Sequence, residues 1–474
     1  MLKKIISHSF VYAVAPQVSR IVSIFILPLL TKHLTPLDYG VSASILVYTG
    51  LFSGIKDLGI TVLLVNAFYH HPQTWKLRWR IFYGYLLAWA PLLFLVQFIF
   101  ILFVCPKEVQ SHVIGIGLLT SLQILLFDHT ILIGFRYLHV IKRNVAYLGI
   151  ASVASGLTIV VCNYITIVHM KMGYMGWFWS TFIGTAVSFL FYCKPVFADL
   201  KLKPVFYKSK EFFRRQMRVS LPMIPHNYST YLLNSSDRLV MRWYNLDINN
   251  IGVYNLASTF GNYFEVIGSS MGFAVSPFIN DLLAEKKMEA ELRLRKLIYL
   301  FQAVFLLGSI LVCLWLKEVF HFLIRNTELQ AGYSLAIIVI MGYCYRPMYW
   351  GSINRLIFYK LTGKLWRISF IAGLLNIVLN LIFIPIYGYT ASVYITFVSL
   401  IFLGFSGYYL PEFKKISSVN YRPLAWILII SVSTCIVFLC KDLPVSYRLM
   451  ITGSILAAMV IALIKYRSLI NLNK

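Results

Sequence analysis

The chain has 474 residues, of which 59% are hydrophobic and 13% charged, with a formal net charge of +26. Its charged fraction is about half the ~25% of an ordinary soluble domain, and its mean hydropathy is +0.75. A soluble protein is excluded, and a polytopic membrane protein with a ceiling of about fourteen crossings is indicated. A nucleic-acid partner would be one source of the positive charge, so the placement of the charges along the chain decides its meaning.

Hydropathy in windows of about 19 residues predicts spans 1 to 14 at 9–30, 41–65, 81–104, 113–135, 145–168, 175–193, 219–244, 251–279, 297–316, 331–353, 368–386, 388–410, 423–440 and 449–464. Twelve spans are the alternative. The first run carries Arg20 at its middle and has no small-residue cleavage site after it, so it reads as a helix and not as a leader. With the N-terminus inside, 31 of the 43 Lys and Arg residues fall in inner loops and tails and seven in outer loops. The positive-inside rule then places both termini in the cytoplasm. The net charge is therefore topological and needs no nucleic acid, while a basic inner face suits anionic membrane lipid.

One inner loop is long. Residues 194–218 hold eight basic side chains against Asp199 and Glu211, and they separate six spans from eight. No outer loop is long enough to fold into a domain, which weighs against membrane glycosyltransferases and polymerases built on external loops. Pores and transporters remain. The seven cysteines include no C-x-x-C pair, and the ten histidines no i, i+4 pair. Without a phosphate-binding glycine loop or a nucleophile triad, the sequence implies neither a cofactor nor an enzyme.

The two sides of the long loop resemble each other. Pro16 and Pro28 precede Gly40-Val41-Ser42-Ala43-Ser44, and Pro222 and Pro225 precede Gly252-Val253-Tyr254-Asn255-Leu256-Ala257-Ser258. The predicted fold is an all-α polytopic membrane protein of two six-helix lobes related by a pseudo-two-fold along the membrane normal, plus two C-terminal helices. The predicted domains are an N-terminal lobe at 1–193, a basic cytoplasmic linker at 194–218, a C-terminal lobe at 219–410 and the added helices with the tail at 411–474.

Nine ionisable residues besides histidine fall inside spans: Arg20, Lys56, Asp57, Asp128, Asp237, Arg238, Arg242, Glu265 and Arg346. Each costs about 2.5–3.5 kcal/mol at a helix centre, so such residues face protein or a wet cavity. They lie in spans 1, 2 and 4 and in their repeat partners 7, 8 and 10. In span 7, Asn227, Tyr231, Asn234, Arg238 and Arg242 share one helical face; in span 8, Asn255, Ser258, Asn262, Glu265 and Ser269 do so. Such a stripe meets either water or another polar stripe. Thr35-Pro36-Leu37-Asp38 reads as a capping box that starts span 2. Pro16, Pro222, Pro225 and Pro347 are expected to bend or interrupt their helices.

The chain resembles the polysaccharide repeat-unit flippases of the multidrug/oligosaccharidyl-lipid/polysaccharide (MOP) exporter superfamily. The likeness rests on Leu34-Thr35-Pro36-Leu37-Asp38-Tyr39-Gly40, Asp57-Leu58-Gly59-Ile60, Leu221-Pro222-Met223-Ile224-Pro225-His226-Asn227, Ser236-Asp237-Arg238 and Ile251-Gly252-Val253-Tyr254-Asn255-Leu256-Ala257. The resemblance implies a V-shaped pair of lobes around a cavity that opens alternately to cytoplasm and periplasm in a bacterial inner membrane. It implies translocation of undecaprenyl-diphosphate-linked oligosaccharide, O-antigen or capsule repeat units, without covalent chemistry. It also implies coupling to protons or sodium ions, as in related members, and other polysaccharide-assembly proteins as partners. The intramembrane charge departs from a strongly cationic cavity, with five basic residues against four acidic. Fourteen spans also match the peptidoglycan-precursor flippases of the superfamily better than the usual twelve. A multidrug/cation antiporter of the same fold and a membrane-embedded glycosyl-transfer enzyme are the competing readings.

The expected substrate-binding residues are Arg20, Lys56, Arg238 and Arg242, whose cations match phosphate oxygens, together with Asn234 and Asn262 on the polar stripes. The expected coupling residues are Glu265, Asp57 and Asp128. For Glu265, a proton carrier and a static pair with Arg20 or Arg346 are equally open.

Overall fold

Thr35, Pro36 and Asp38 start the second helix of the computed structural model, which describes residues 18, 21–207, 209–359, 361 and 365–465. The Thr35 amide and hydroxyl donate to Asp38 Oδ2 at 2.8 and 2.7 Å, and the Asp38 amide returns a bond to Thr35 Oγ1. This is the expected capping box. The same carboxylate accepts the Tyr174 amide through Oδ1 at 2.7 Å, so one side chain caps two helices. Gly173, at φ +52°, makes that approach possible, because a Cβ there would stand 2.7 Å from Asp38 Oδ1.

Every regular element among the described residues is helical. Contacts divide the chain into residues 1–231 and residues 232–474. The first unit holds α1 (Ile21–Thr31), α2 (Pro36–Ser53), α3 (Ile60–His70), α4 (Trp75–Val104), α5 (Val113–Gln123), α6 (His129–Arg136), α7 (Val145–Asn163), α8 (Tyr174–Cys193) and α9 (Lys210–Ser220). The division falls inside α10 (Met223–Trp243). The second unit continues with α11 (Ile248–Ala284), α12 (Met288–Leu314), α13 (Leu316–Leu323), α14 (Thr327–Gln330), α15 (Tyr333–Gly342) and α16 (Arg346–Phe358). It ends with α17 (Leu365–Tyr387), α18 (Ala391–Phe405), α19 (Pro411–Ile416), α20 (Pro423–Cys440) and α21 (Val445–Lys465).

By length and composition, seven helical runs among the described residues are apolar enough to cross a membrane, or eight with the pair bent by 40° inside α11. One run, Arg367–Tyr409, is 43 residues long and contains the packed hairpin of α17 and α18. From the second hydropathy segment onward, each coincides among the described residues with one helix or with two in succession, and of the first only residues 18 and 21–30 are described. Apolar side chains such as Phe25, Phe103, Leu190 and Leu439 stand exposed on these helices, as they do where the solvent is hydrocarbon.

Inside the first unit, Trp79 is fully buried among Ile60, Leu64, Leu86, Ile133 and Val196, and its indole donates to the Leu64 carbonyl at 2.9 Å. The basic segment at 194–218 is no free linker. The Val205 amide donates to the Arg80 carbonyl, Arg80 Nε donates to the Lys203 carbonyl, and Phe212 of α9 stacks on Phe82. Its apolar residues bring it down on the first unit despite its charge.

The second unit is built around buried amides. Asn376 and Asn380 of α17 are both fully buried. Ser236 donates to Asn376 Oδ1 at 2.8 Å, Asn380 Nδ2 donates to the same oxygen at 2.8 Å, and Ser392 donates to Asn380 Oδ1 at 2.9 Å. In an apolar surround such a network is stable only because its members satisfy one another.

The C-terminal pair α20 and α21 is tied to its neighbours at one end. Arg448 meets Glu318 through both terminal nitrogens, at 2.8 and 2.6 Å, and its guanidinium lies over the Trp315 ring. Lys317 reaches Asp442 at 2.7 Å, and the Tyr333 hydroxyl donates to the same carboxylate. The bond from Arg448 holds the Glu318 carboxyl below its ordinary range, and the bond from Lys317 does the same for Asp442.

The structure corrects two sequence expectations. Span 2, expected as one helix over 41–65, is broken between α2 and α3, where Leu58 and Gly59 adopt positive φ of 49° and 65°. Hydropathy averages over such a break and cannot register it. Arg355, counted among the loop cations, is fully buried. It bonds Glu291 Oε1, the Ile416 carbonyl and the Tyr421 hydroxyl.

Candidate functional site

The break in span 2 is where the first unit places its charges. Gly50 on α2 and Gly54 at its C-cap, one helical turn apart, leave room for the rings of Tyr231 and Tyr228, whose hydroxyls donate to the Val47 and Leu51 carbonyls. Past Gly54 the chain leaves the helix. Asp57 then accepts the Gly59 amide and the Thr61 hydroxyl, both at 3.3 Å, and so braces the turn that leads into α3. The Trp89 indole donates to the Ile55 carbonyl exposed by the break. These contacts satisfy backbone groups that hydrocarbon would leave orphaned. Lys56 projects from the break and reaches Asp128 Oδ2 at 2.8 Å. Asp128 ends a π-helical turn, Ile124–Asp128, that interrupts span 4 between α5 and α6. π-turns of this kind concentrate at functional positions.

The second unit carries a comparable ion pair in spans 8 and 10. Glu265 of α11 receives a bond from Arg346 Nη2 at 2.6 Å. Arg346 follows the 3-10 turn Tyr343–Tyr345 that interrupts span 10, and Pro347 is in the first turn of α16. Buried Gln302 straps this interruption, donating to the Cys344 carbonyl at 2.7 Å and accepting the Met348 amide. The Arg346 guanidinium also lies 5.2 Å from the Tyr345 ring centroid. Each unit therefore carries one ion pair at an interrupted helix, with the signs exchanged: Lys–Asp in spans 2 and 4, Glu–Arg in spans 8 and 10. Half-exposed Lys56 and Glu265, at 38% and 33%, face better buried partners, Asp128 and Arg346, at 18% and 15%.

The remaining expected residues are dispersed. Arg20 and Pro16 lie outside the described residues. Arg238 is buried and engaged: Nε donates to Asn255 Oδ1 at 3.1 Å, Nη1 to the Asn234 carbonyl at 3.0 Å, and Asp237 pairs with it. Tyr254 stacks under the guanidinium and donates its hydroxyl to Asp237. Asn262 accepts the Tyr343 hydroxyl at 3.3 Å. Asn255, Asn262 and Glu265 of the span 8 stripe thus meet other polar groups of their own unit, while the buried Ser258 hydroxyl has no hydrogen-bond partner among the described residues. Asn234 is exposed and Arg242 half-buried. Among the described residues no cluster of histidine, cysteine and carboxylate side chains suits a metal ion.

Two features escaped the sequence reading. Gln302 lies in an apolar helix and signals nothing until the break it serves is seen. Asn376 and Asn380 do carry a signal, since two amides one turn apart in an apolar span must share a partner.

No curated protein matches the chain in sequence. Among solved structures, "Lipid II flippase MurJ, inward closed conformation" superposes with a TM-score of 0.70 at 17% identity, covering 97% of this chain and 99% of the other. An inward-facing multidrug resistance MATE family transporter of the MOP superfamily gives 0.59 at 16% identity, over 88% and 98%. A MOP superfamily transporter from Pyrococcus furiosus gives 0.53 at 14%, over 91% and 96%. The profile of the family described as polysaccharide biosynthesis protein matches residues 5–283. With more than half of its length in that match and the helical fold of the MOP transporters throughout, the chain belongs to the polysaccharide biosynthesis protein family.

Proposed function

We propose that the protein is a flippase that carries undecaprenyl-diphosphate-linked oligosaccharide, the repeat unit of an O-antigen or capsule, from the cytoplasmic to the periplasmic leaflet of a bacterial inner membrane by alternating access. Both termini are cytoplasmic in this reading, and two six-helix lobes are followed by two added helices. It is a transporter and performs no covalent chemistry. The family supports a role in polysaccharide assembly, and the likeness to a lipid II flippase supports a lipid-linked cargo. The observation that carries the reading is the pair of sign-exchanged ion pairs at interrupted helices. Charges held at helix breaks mark polar paths in membrane proteins.

In this reading Lys56 and Arg346 are cations on loan. Each is neutralised by a carboxylate of its own unit at rest, and each is able to exchange that carboxylate for a phosphate oxygen. Arg20 and Arg242 add to the phosphate contacts, and Asn234 and Asn262 meet the sugars. Arg238, locked by Asn255 and Asp237, holds the span 7 and 8 helices together until the units rearrange. Asp128 and Glu265, released in turn, exchange the coupling proton, and Asp57 keeps the break open. Deletion of the gene is expected to accumulate lipid-linked repeat units on the inner leaflet and to strip surface polysaccharide, measured by lipid extraction and leaflet-selective labelling. Normal polysaccharide with new drug sensitivity would instead favour the antiporter.

A further inference from the structure

A cleft of about 450 Å³ opens in the first unit between the end of α3, the start of α4 and the amphipathic helix α9. We infer that this cleft binds the phosphate headgroup of an anionic phospholipid, clamping α9 to the first unit. His70 and His71 come from the end of α3, Arg78 from α4 and Arg215 from α9, with the carboxamides of Asn66 and Gln216 beside them. No carboxylate lines it. Among the described residues neither Arg78 nor Arg215 forms an ion pair: Arg78 Nε donates to the Thr74 hydroxyl, and Arg215 lies over the Phe212 ring. Two guanidinium forks, two imidazoles and two amides from three elements therefore converge without an anion among them, which is the donor set that phosphate oxygens take.

The local field agrees with the geometry. Desolvation, followed by the positive charges of Arg78, His70 and Arg215, holds the His71 imidazole below its ordinary value. Desolvation is the larger cause and disfavours any charge, but the positive charges of Arg78, His70 and Arg215 that add to it favour an anion at the same place.

A lipid fits better than a free anion because the cleft is half apolar. Leu63, Ala67, Phe82 and Val219 form its other wall. Phe213, Val219 and Leu221 stand exposed on and just after α9, at 39%, 50% and 45%. A helix with a basic face and an exposed apolar face lies in a membrane interface, where a headgroup and its glycerol meet both kinds of surface. The site is separate from the ion pairs at the helix breaks and does not rest on the transport reading.

The test uses delipidated full-length protein titrated with short-chain phosphatidylglycerol, phosphatidylcholine or inorganic pyrophosphate, with native mass spectrometry counting bound molecules and thermal shift reading affinity. One phosphatidylglycerol is expected, bound at least about tenfold more tightly than phosphatidylcholine. Arg78→Gln with Arg215→Gln lowers that affinity about tenfold or more. Gln216→Glu, nearly isosteric, does the same by repulsion. Lys76→Gln with Arg214→Gln removes the same charge outside the cleft and leaves binding within about twofold. Equal losses in both double variants would reduce the effect to diffuse surface charge and overturn the site. Pyrophosphate binding as tightly as phosphatidylglycerol and displacing it would overturn the lipid assignment in favour of a soluble anion.

Discussion

Arg346→Ala is expected to abolish surface polysaccharide and to destabilise the protein by about 3 kcal/mol, because it leaves the Glu265 carboxylate without its cation in a low-dielectric surround. The value is set at the lower end of the range for a broken buried pair, since the Glu265 side chain keeps 33% exposure. Arg346→Ala combined with Glu265→Ala removes the orphaned charge, so most of the lost stability returns while transport does not. Detergent-solubilised unfolding separates the first effect, and polysaccharide level at matched protein abundance separates the second. Recovery of polysaccharide together with stability in the double variant would make the pair a structural staple only. The Lys56–Asp128 pair is expected to behave alike, with a smaller stability loss because Lys56 is the more exposed of the two cations.

The largest loss of stability is expected from Arg355→Ala. The side chain is fully buried, and it joins Glu291 of α12, the Ile416 carbonyl at the end of α19 and the Tyr421 hydroxyl before α20. It also lies beside the rings of Phe413 and Tyr421, 5.6 and 5.8 Å from their centroids. Removing it strands the Glu291 carboxylate and empties a packed position, about 3–5 kcal/mol together. Arg355→Lys recovers little, because an ammonium cannot reach three directions in one plane or present a flat face to an aromatic ring. Denaturant midpoints of the purified variants measure both, and abundance in membranes should fall in parallel. Arg355→Ala unfolding within about 0.5 kcal/mol of the parent would contradict the staple.

Much of the fold was legible because hydrocarbon imposes a simple rule: every crossing must be a long apolar helix. The all-helical, apolar character of the chain followed from it. The capping box at Thr35 and Asp38 was legible because its spacing is local. The charged positions were legible for the same reason, since Lys56, Asp128, Glu265 and Arg346 are conspicuous against their surroundings. Their partners were not. The Glu265–Arg346 contact spans 81 residues of sequence, and the sequence left it level with a free carboxyl. The break at Leu58 and Gly59 is a left-handed turn of two residues inside an apolar window, too short for any average to show. Arg355 was misplaced because a cation near a span end normally escapes to water, whereas here Glu291 and two aromatic rings replace the water.

Transport by the purified protein in proteoliposomes tests the central claim most directly. Vesicles carrying undecaprenyl-diphosphate-linked repeat units in one leaflet should lose them to the other in a protein-dependent manner under a proton gradient. The Arg346→Ala/Glu265→Ala protein, folded but without its exchangeable pair, should fall to the rate of empty vesicles. Wild-type protein that moves organic cations but leaves the lipid-linked oligosaccharide in its original leaflet, at the rate of empty vesicles, would contradict the account.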